Sequence, residues 1–245
     1  GVDTVFAVLG DGNLFIGENL ERQHGVNLIG ATHEANAVCM AEGWAKATGR
    51  LGVATVTHGP GLTNTITALV EGVKNGTPMI LVAGDTPVEN EQHLQNLDQH
   101  ALVAATGAGF QPVRNVQTIA EDVSTAVRRA HAEHRPVVLN VPLNIEWDEV
   151  EYEARPALTP ASLRLAADPD HLETALGIIA SSARPLIVAG RGAVKSGARE
   201  TLIRLGDALG APLATSLLAT GFFQEEPFNL GLHGTLSHQI AGETF

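Results

Sequence analysis

The chain predicts a doubly wound α/β fold, a parallel sheet with helices on both faces, and two observations carry the prediction. Apolar runs at about 4–9, 27–30, 53–57, 79–83 and 137–141 alternate with helical stretches at about 14–23, 34–48, 62–74 and 118–132, the alternation expected of crossover units. Two of the runs lead into glycine-rich turns, Gly10-Asp11-Gly12 and Gly59-Pro60-Gly61, each followed by a helix. A 44% hydrophobic content in 245 residues is ample for a packed core.

The first strand, Val5-Phe6-Ala7-Val8-Leu9, ends at Gly10-Asp11-Gly12-Asn13-Leu14. Asp11 there is either an acid facing a ligand or an ordinary turn acid or N-cap. The helix from 34 carries Glu34, Val38, Ala41 and Ala45 at spacings of 4, 3 and 4, which puts them on one side. Burial on that side would disfavour the ionised form of Glu34 and leave a carboxyl group able to exchange a proton with a ligand. The alternative is an acid that only complements the helix dipole. Cys39, the single cysteine, lies inside this apolar helix and is expected to be an inert buried thiol.

The third strand runs into Thr57-His58-Gly59-Pro60-Gly61-Leu62-Thr63-Asn64. Gly59 and Gly61 let backbone approach a flat ligand and Pro60 stiffens the turn, so the loop suits a pocket wall at a sheet's C-terminal edge. His58 is a candidate proton shuttle, or else a histidine that hydrogen-bonds backbone at a strand end. After the fourth strand come Gly84-Asp85-Thr86-Pro87 and Leu94-Gln95-Asn96-Leu97-Asp98, with His93 and His100 expected to be solvated. The ten histidines show no paired ligand spacing in the sequence, so no metal site is expected from them.

From Pro142 to Asp168 the periodicity stops amid acids and prolines, which marks a linker. The expected organisation is a first domain over 1–150, a linker over 151–168 and part of a second Rossmann-like α/β domain over 169–245. The second unit starts with a helix at about 169–182, a strand at 185–190, a helix at about 196–209 and a short strand after Pro212. Gly190-Arg191-Gly192 follows its strand, but the next glycine is Gly197, so the dinucleotide fingerprint is not met. Fifteen basic against 27 acidic residues give a charge of −12, which argues against nucleic acid and anionic membrane as partners.

Taken in order, these segments resemble the pyrimidine-binding domain of thiamine-diphosphate-dependent enzymes of the acetolactate synthase, pyruvate oxidase and 2-oxo acid decarboxylase group, followed by part of their central domain. The resemblance implies the thiamine-diphosphate-binding fold. It implies that Glu34 activates the cofactor aminopyrimidine, with Gly59, Pro60, Gly61 and Asn64 around the cofactor. It assigns Asp11 and His58 to catalysis and Gln95 to the 2-oxo acid substrate. Mg²⁺ is expected on a diphosphate-binding domain outside this chain, FAD is possible but not expected, and a homodimer or homotetramer in the cytoplasm is implied. The chain is then a fragment that should lack turnover on its own. His58 stands where many relatives carry a small hydroxyl residue, and Leu94 and Asn96 depart from the synthase pattern. A nucleotide-binding oxidoreductase of doubly wound fold and a non-catalytic binding module are the alternatives.

Overall fold

Strand β1 (Thr4–Ala7) is buried along its length and pairs in parallel with β2 (Asn27–Gly30) on one side and β3 (Gly52–Val56) on the other. In the computed structural model, which describes residues 2–87, 89–90, 92–151 and 166–244, these strands join β4 (Met79–Asp85), β5 (Gly109–Pro112) and β6 (Pro136–Pro142). The order is β2-β1-β3-β4-β6-β5, all parallel. Strand residues alternate between two cores. Phe6, Ala54, Val56, Leu81 and Val138 face one side; Val5, Val53, Ile80, Val137 and Leu139 face the other.

The first core is covered by α2 (Glu34–Thr48), α3 (Pro60–Thr63), α4 (Ile66–Asn75) and α5 (Gln99–Thr106). The second is covered by α1 (Leu14–Arg22), α6 (Ile119–Glu133) and α7 (Leu143–Glu146). The faces follow from the handedness of the crossovers, since the connections β1 to β2 and β5 to β6 move one way across the sheet and the others move back. On the second face an apolar groove of about 410 Å³ remains between α1 and α6, floored by Val53, Ile80 and Val82.

Because β1 exits to α1 on one face and β3 exits to α3 on the other, the loops after these adjacent strands part and leave a crevice at the C-terminal edge. A second such reversal lies between β4 and β6. Helix α2 ends at Gly49, in the left-handed region at φ 70°, and is tied to the end of α4 by buried Glu42, which accepts from Asn75 Nδ2 at 2.7 Å and pairs with Lys46 at 2.8 Å.

Cys39 is exposed, not buried: it follows Val38 by one residue, a turn of about 100° that carries it off the apolar stripe. Helix α5 and strand β5 were not anticipated. The stretch expected to be linker from 142 begins with α7, which buries Ile145 and the carboxyl group of Glu146. Most of the proposed linker, residues 152–165, lies outside the described residues.

The described residues divide into two compact units, 2–151 and 166–244. The second contains α8 (Pro169–Ser181), β7 (Ile187–Ala189), α9 (Arg191–Lys195), α10 (Arg199–Leu209), β8 (Leu213–Thr215), β9 (Asn229–Leu232) and α11 (Gln239–Thr244). Its strands form a parallel sheet in the order β7-β8-β9 around Ile187, Leu213 and Phe223. No helix among the described residues is long and apolar enough to cross a membrane.

Candidate active site

The crevice between β1 and β3 is built by two interlocked turns. Asn13, fully buried, receives the Gly10 N–H on Oδ1 at 2.8 Å and donates through Nδ2 to Val8 O at 3.1 Å and to Thr55 Oγ1 at 3.0 Å. Every polar atom of that amide is thus used, two of the bonds closing the first turn on itself and the third tying it to β3. Asp11 projects from the locked turn. It does not cap α1; its Oδ1 accepts from Thr57 Oγ1 at 3.0 Å, while the same hydroxyl accepts the Gly12 N–H at 3.1 Å.

His58 is fully buried beside this pair, with Nδ1 3.4 Å from Thr57 Oγ1. A Cβ on Gly12 would run into its ring, so only glycine lets the two turns close. Burial holds the imidazole below its ordinary pKa and nearby His93 acts in the same direction, against the Asp11 and Asp85 carboxylates. Burial thus favours the neutral imidazole of His58 over its charged form. Its ring nitrogens lie beside the Thr57 hydroxyl and the Gln95 amide.

The loop after β4 closes the crevice. The rings of His93 and His58 lie 5.2 Å apart, and His93 Nδ1 accepts from the Gln95 N–H at 3.2 Å. His93 is half-buried, so the expectation of a solvated loop histidine does not hold for it; His100 is exposed, its ring edge-on to Phe110. The Gln95 side chain reaches the same point. With its amide nitrogen inward it donates to Asp11 Oδ2 at 2.9 Å, Asp11 Oδ1 at 3.1 Å and His58 Nε2 at 3.1 Å.

Gly59 adopts φ 57°, ψ −112°, a conformation open to glycine, and a Cβ there would strike the Gln95 carbonyl. Its N–H donates to Gln99 Oε1 at 2.8 Å; Gln99 Nε2 in turn donates to Gly84 O at 2.8 Å and Asn140 Oδ1 at 2.7 Å. Asn140 Nδ2 completes the chain on Asp85 Oδ2 at 2.6 Å. This buried relay of amides anchors the glycine turn to β4 and β6, and no motif in the sequence announced it.

Glu34 opens α2 behind His33, whose ring accepts the Ala35 N–H at 3.1 Å as an N-cap. The Glu34 side chain is half-buried. Its Oε2 accepts from Asn64 Nδ2 at 2.9 Å, and its Oε1 lies 3.9 Å from where a Cβ on Gly61 would stand. That same missing Cβ would be 2.7 Å from the Thr57 methyl. Glu34, Asn64, Gly61, Thr57, Asp11, His58 and Gln95 are accordingly connected around one crevice, with Pro60 at the first turn of α3. In the second unit Gly190 caps α9 directly after β7.

Comparison with known proteins gives this crevice a context. The family model of the thiamine pyrophosphate enzyme N-terminal TPP binding domain matches residues 1–102, and that of the thiamine pyrophosphate enzyme central domain matches residues 172–245. A protein of Methanocaldococcus jannaschii named probable acetolactate synthase large subunit is 30% identical, over 98% of this chain and 43% of its own length. The sulfoacetaldehyde acetyltransferase of Rhodobacter capsulatus is 27% identical, over 88% of this chain and 36% of its own. The X-ray structure of a protein from Mycobacterium smegmatis, titled as a candidate thiamin diphosphate-dependent enzyme, superposes with a TM-score of 0.77 at 25% identity, covering 96% of this chain and 46% of that one. The chain spans less than half the length of these relatives. With both matched domains in the expected order on a fold shared with that structure, the chain belongs to the thiamine pyrophosphate enzyme family.

Proposed function

We propose that this chain supplies the pyrimidine-binding half of a thiamine-diphosphate-dependent lyase or carboligase that acts on a 2-oxo acid, with Glu34 as the residue that activates the cofactor aminopyrimidine. The observation that carries the reading is the disposition of Glu34. One carboxylate oxygen is fixed by Asn64, and the other faces the Gly61 turn without a hydrogen-bond donor among the described residues. A flat heterocycle with a ring nitrogen fits such a place, where a glycine leaves room and a carboxyl oxygen is unspent.

Thiamine diphosphate, when bound, would supply a carbon acid whose anion is nucleophilic toward a carbonyl, together with an electron sink for loss of CO₂. The protein's part is proton placement and geometry. Glu34, held by Asn64 through Oε2, would hold or release a proton at Oε1 toward a ring nitrogen of the bound aminopyrimidine. Neutral His58 and Asp11, joined through Thr57 and Gln95, take and return protons at the substrate. Gln95 also offers its amide to the substrate carboxylate. Gly59 and Pro60 wall the crevice, and Gln99 holds that wall in place. In this reading Mg²⁺ and the diphosphate are held by a domain outside the chain, two copies complete each site, and the enzyme works in the cytoplasm.

Glu34→Gln in the enzyme that contains this chain should slow deuterium exchange at C2 of the bound cofactor, followed by NMR, by about a hundredfold or more. Exchange at the wild-type rate would remove Glu34 from the chemistry.

A further inference from the structure

We propose that Asp11, His58, His93 and Gln95 together form a binding site for a divalent transition-metal cation of the zinc type. It is separate from the Mg²⁺ of the thiamine reading and does not rest on that reading; because Asp11, His58 and Gln95 cannot ligate an ion and serve a substrate at once, the ion belongs to the chain without substrate. Asp11, His58 and His93 each place one ligand atom within 4.8 Å of the others, although they come from the loops after β1, β3 and β4. A tetrahedral site with metal–ligand bonds of about 2.0 Å needs its ligand atoms roughly 3.3 Å apart. Asp11 is exposed and His93 half-buried, so these are the two side chains that would have to move toward buried His58 to reach that spacing.

The surroundings of His58 already suit a ligand. Thr57 Oγ1 donates its single proton to Asp11 Oδ1 and accepts the Gly12 N–H, which leaves a lone pair for a His58 Nδ1–H at 3.4 Å. That tautomer turns an unprotonated Nε2 toward Gln95, the arrangement in which a hydroxyl or carboxylate orients a metal-bound imidazole.

Gln95 decides between two states of the cluster. With its nitrogen inward, the amide satisfies Asp11 and His58 by hydrogen bonds and no ion is needed. An ion would replace these bonds, with the Gln95 amide turned so that its oxygen faces the ion. Two imidazoles, a carboxylate and an amide oxygen favour zinc, cobalt or nickel over magnesium or calcium. His93 is the least prepared ligand. Its Nδ1 accepts the Gln95 N–H, and binding through Nε2 requires the ring proton to move to Nδ1 and that bond to be given up.

The test is a titration of the chain, without thiamine diphosphate, with ZnCl₂ by calorimetry and with CoCl₂ by visible absorption. Expected is one strong site per chain, a cobalt spectrum of the intense tetrahedral type, and no competition from Mg²⁺. Asp11→Asn should weaken binding by about tenfold or more, and Gln95→Leu and His93→Ala by less. These three side chains are exposed or half-buried, and circular dichroism checks that each variant is folded. Zinc binding of the same strength in wild type and in the Asp11→Asn, His93→Ala double variant would overturn the site, because the remaining histidines would then be holding the ion. Since no thiamine diphosphate is present, this result and the Glu34→Gln result can fail independently.

Discussion

Glu146 shows how a single side chain can carry a pH dependence. Both its carboxyl oxygens are buried without a hydrogen-bond partner, and burial, helped by the Asp11 carboxylate, pushes its pKa up to about 7. The fold therefore prefers the neutral acid. Its contribution is complete below the ordinary carboxylate pKa and is lost as pH rises from there to about 7, because over that window the folded chain binds the extra proton. The lowered pKa of buried His58 acts with the opposite sign, withdrawing stability as pH falls below the ordinary imidazole value. Glu146→Gln isolates the first effect: it should be close to neutral in urea unfolding near pH 5 and stabilise by about 1–2 kcal/mol near pH 8, discounted because the groove beside it is open. Equal effects at both pH values would show that the carboxyl group is hydrated after all. Among the residues around the crevice, Asp11, Glu34 and His58 drew attention in the sequence because each sits in a strand-to-turn or turn-to-helix segment, whereas Gln95, in the loop after β4, was named only through the family resemblance. His93 and Glu146 were not legible. One belongs to a loop whose neighbours in space are set by sheet order, and the other to a stretch whose acids outweigh one buried turn of helix.

At the scale of elements, the glycine turn after β3 depends on an amide relay that crosses three strands' worth of loops. Gln99 is 2% exposed and serves Gly59, Gly84 and Asn140 at once. Gln99→Ala strands two backbone groups and one side chain without partners, at about 1–3 kcal/mol for each buried group that finds no water. We expect a loss of roughly 2–4 kcal/mol in urea unfolding, together with backbone amide shift changes concentrated at Gly59 and Gly61. Shift changes confined to α5 would show that the turn holds its shape unaided. Strong periodicity made α2 and α6 readable to within a residue or two, and apolar β-branched runs did the same for β3, β4 and β6. Strand β5 has the sequence Gly109-Phe110-Gln111-Pro112 and is an edge strand held by β6, so its conformation comes from pairing and not from its own residues. Helix α5 carries a capping Asp98, which accepts the Ala101 N–H at 2.9 Å, yet it is eight residues long and its apolar side is short. The single helix expected over 62–74 is broken between α3 and α4, where Thr65 Oγ1 bonds back to Leu62 O at 2.7 Å.

Over the whole molecule the two units differ in how much apolar surface they bury. Among the described residues, the cores on the two faces of the first sheet hold fifteen and twelve buried apolar side chains, whereas the second unit's holds five. Helix α8 has no buried residue, and Leu172, Leu176 and Ile178 are each about half exposed or more. At about 1.5–3 kcal/mol for each large apolar side chain fully buried, such a difference exceeds the net stability of a typical domain. The two units should consequently unfold in separate steps, with 166–244 opening at the lower denaturant concentration. Hydrogen exchange read by mass spectrometry should find the slowest amides in β3, β4 and β6 and the fastest helical amides in α8. The crevice would then stay assembled in urea that has already opened the second unit, because every residue that shapes it belongs to the first. Tryptophan fluorescence follows that first unit selectively, since Trp44, edge-on to buried Phe6, and Trp147, against Phe15, both lie within it. A fluorescence transition that coincides with the loss of far-ultraviolet circular dichroism would mean that the small core of the second unit draws its stability from the larger one.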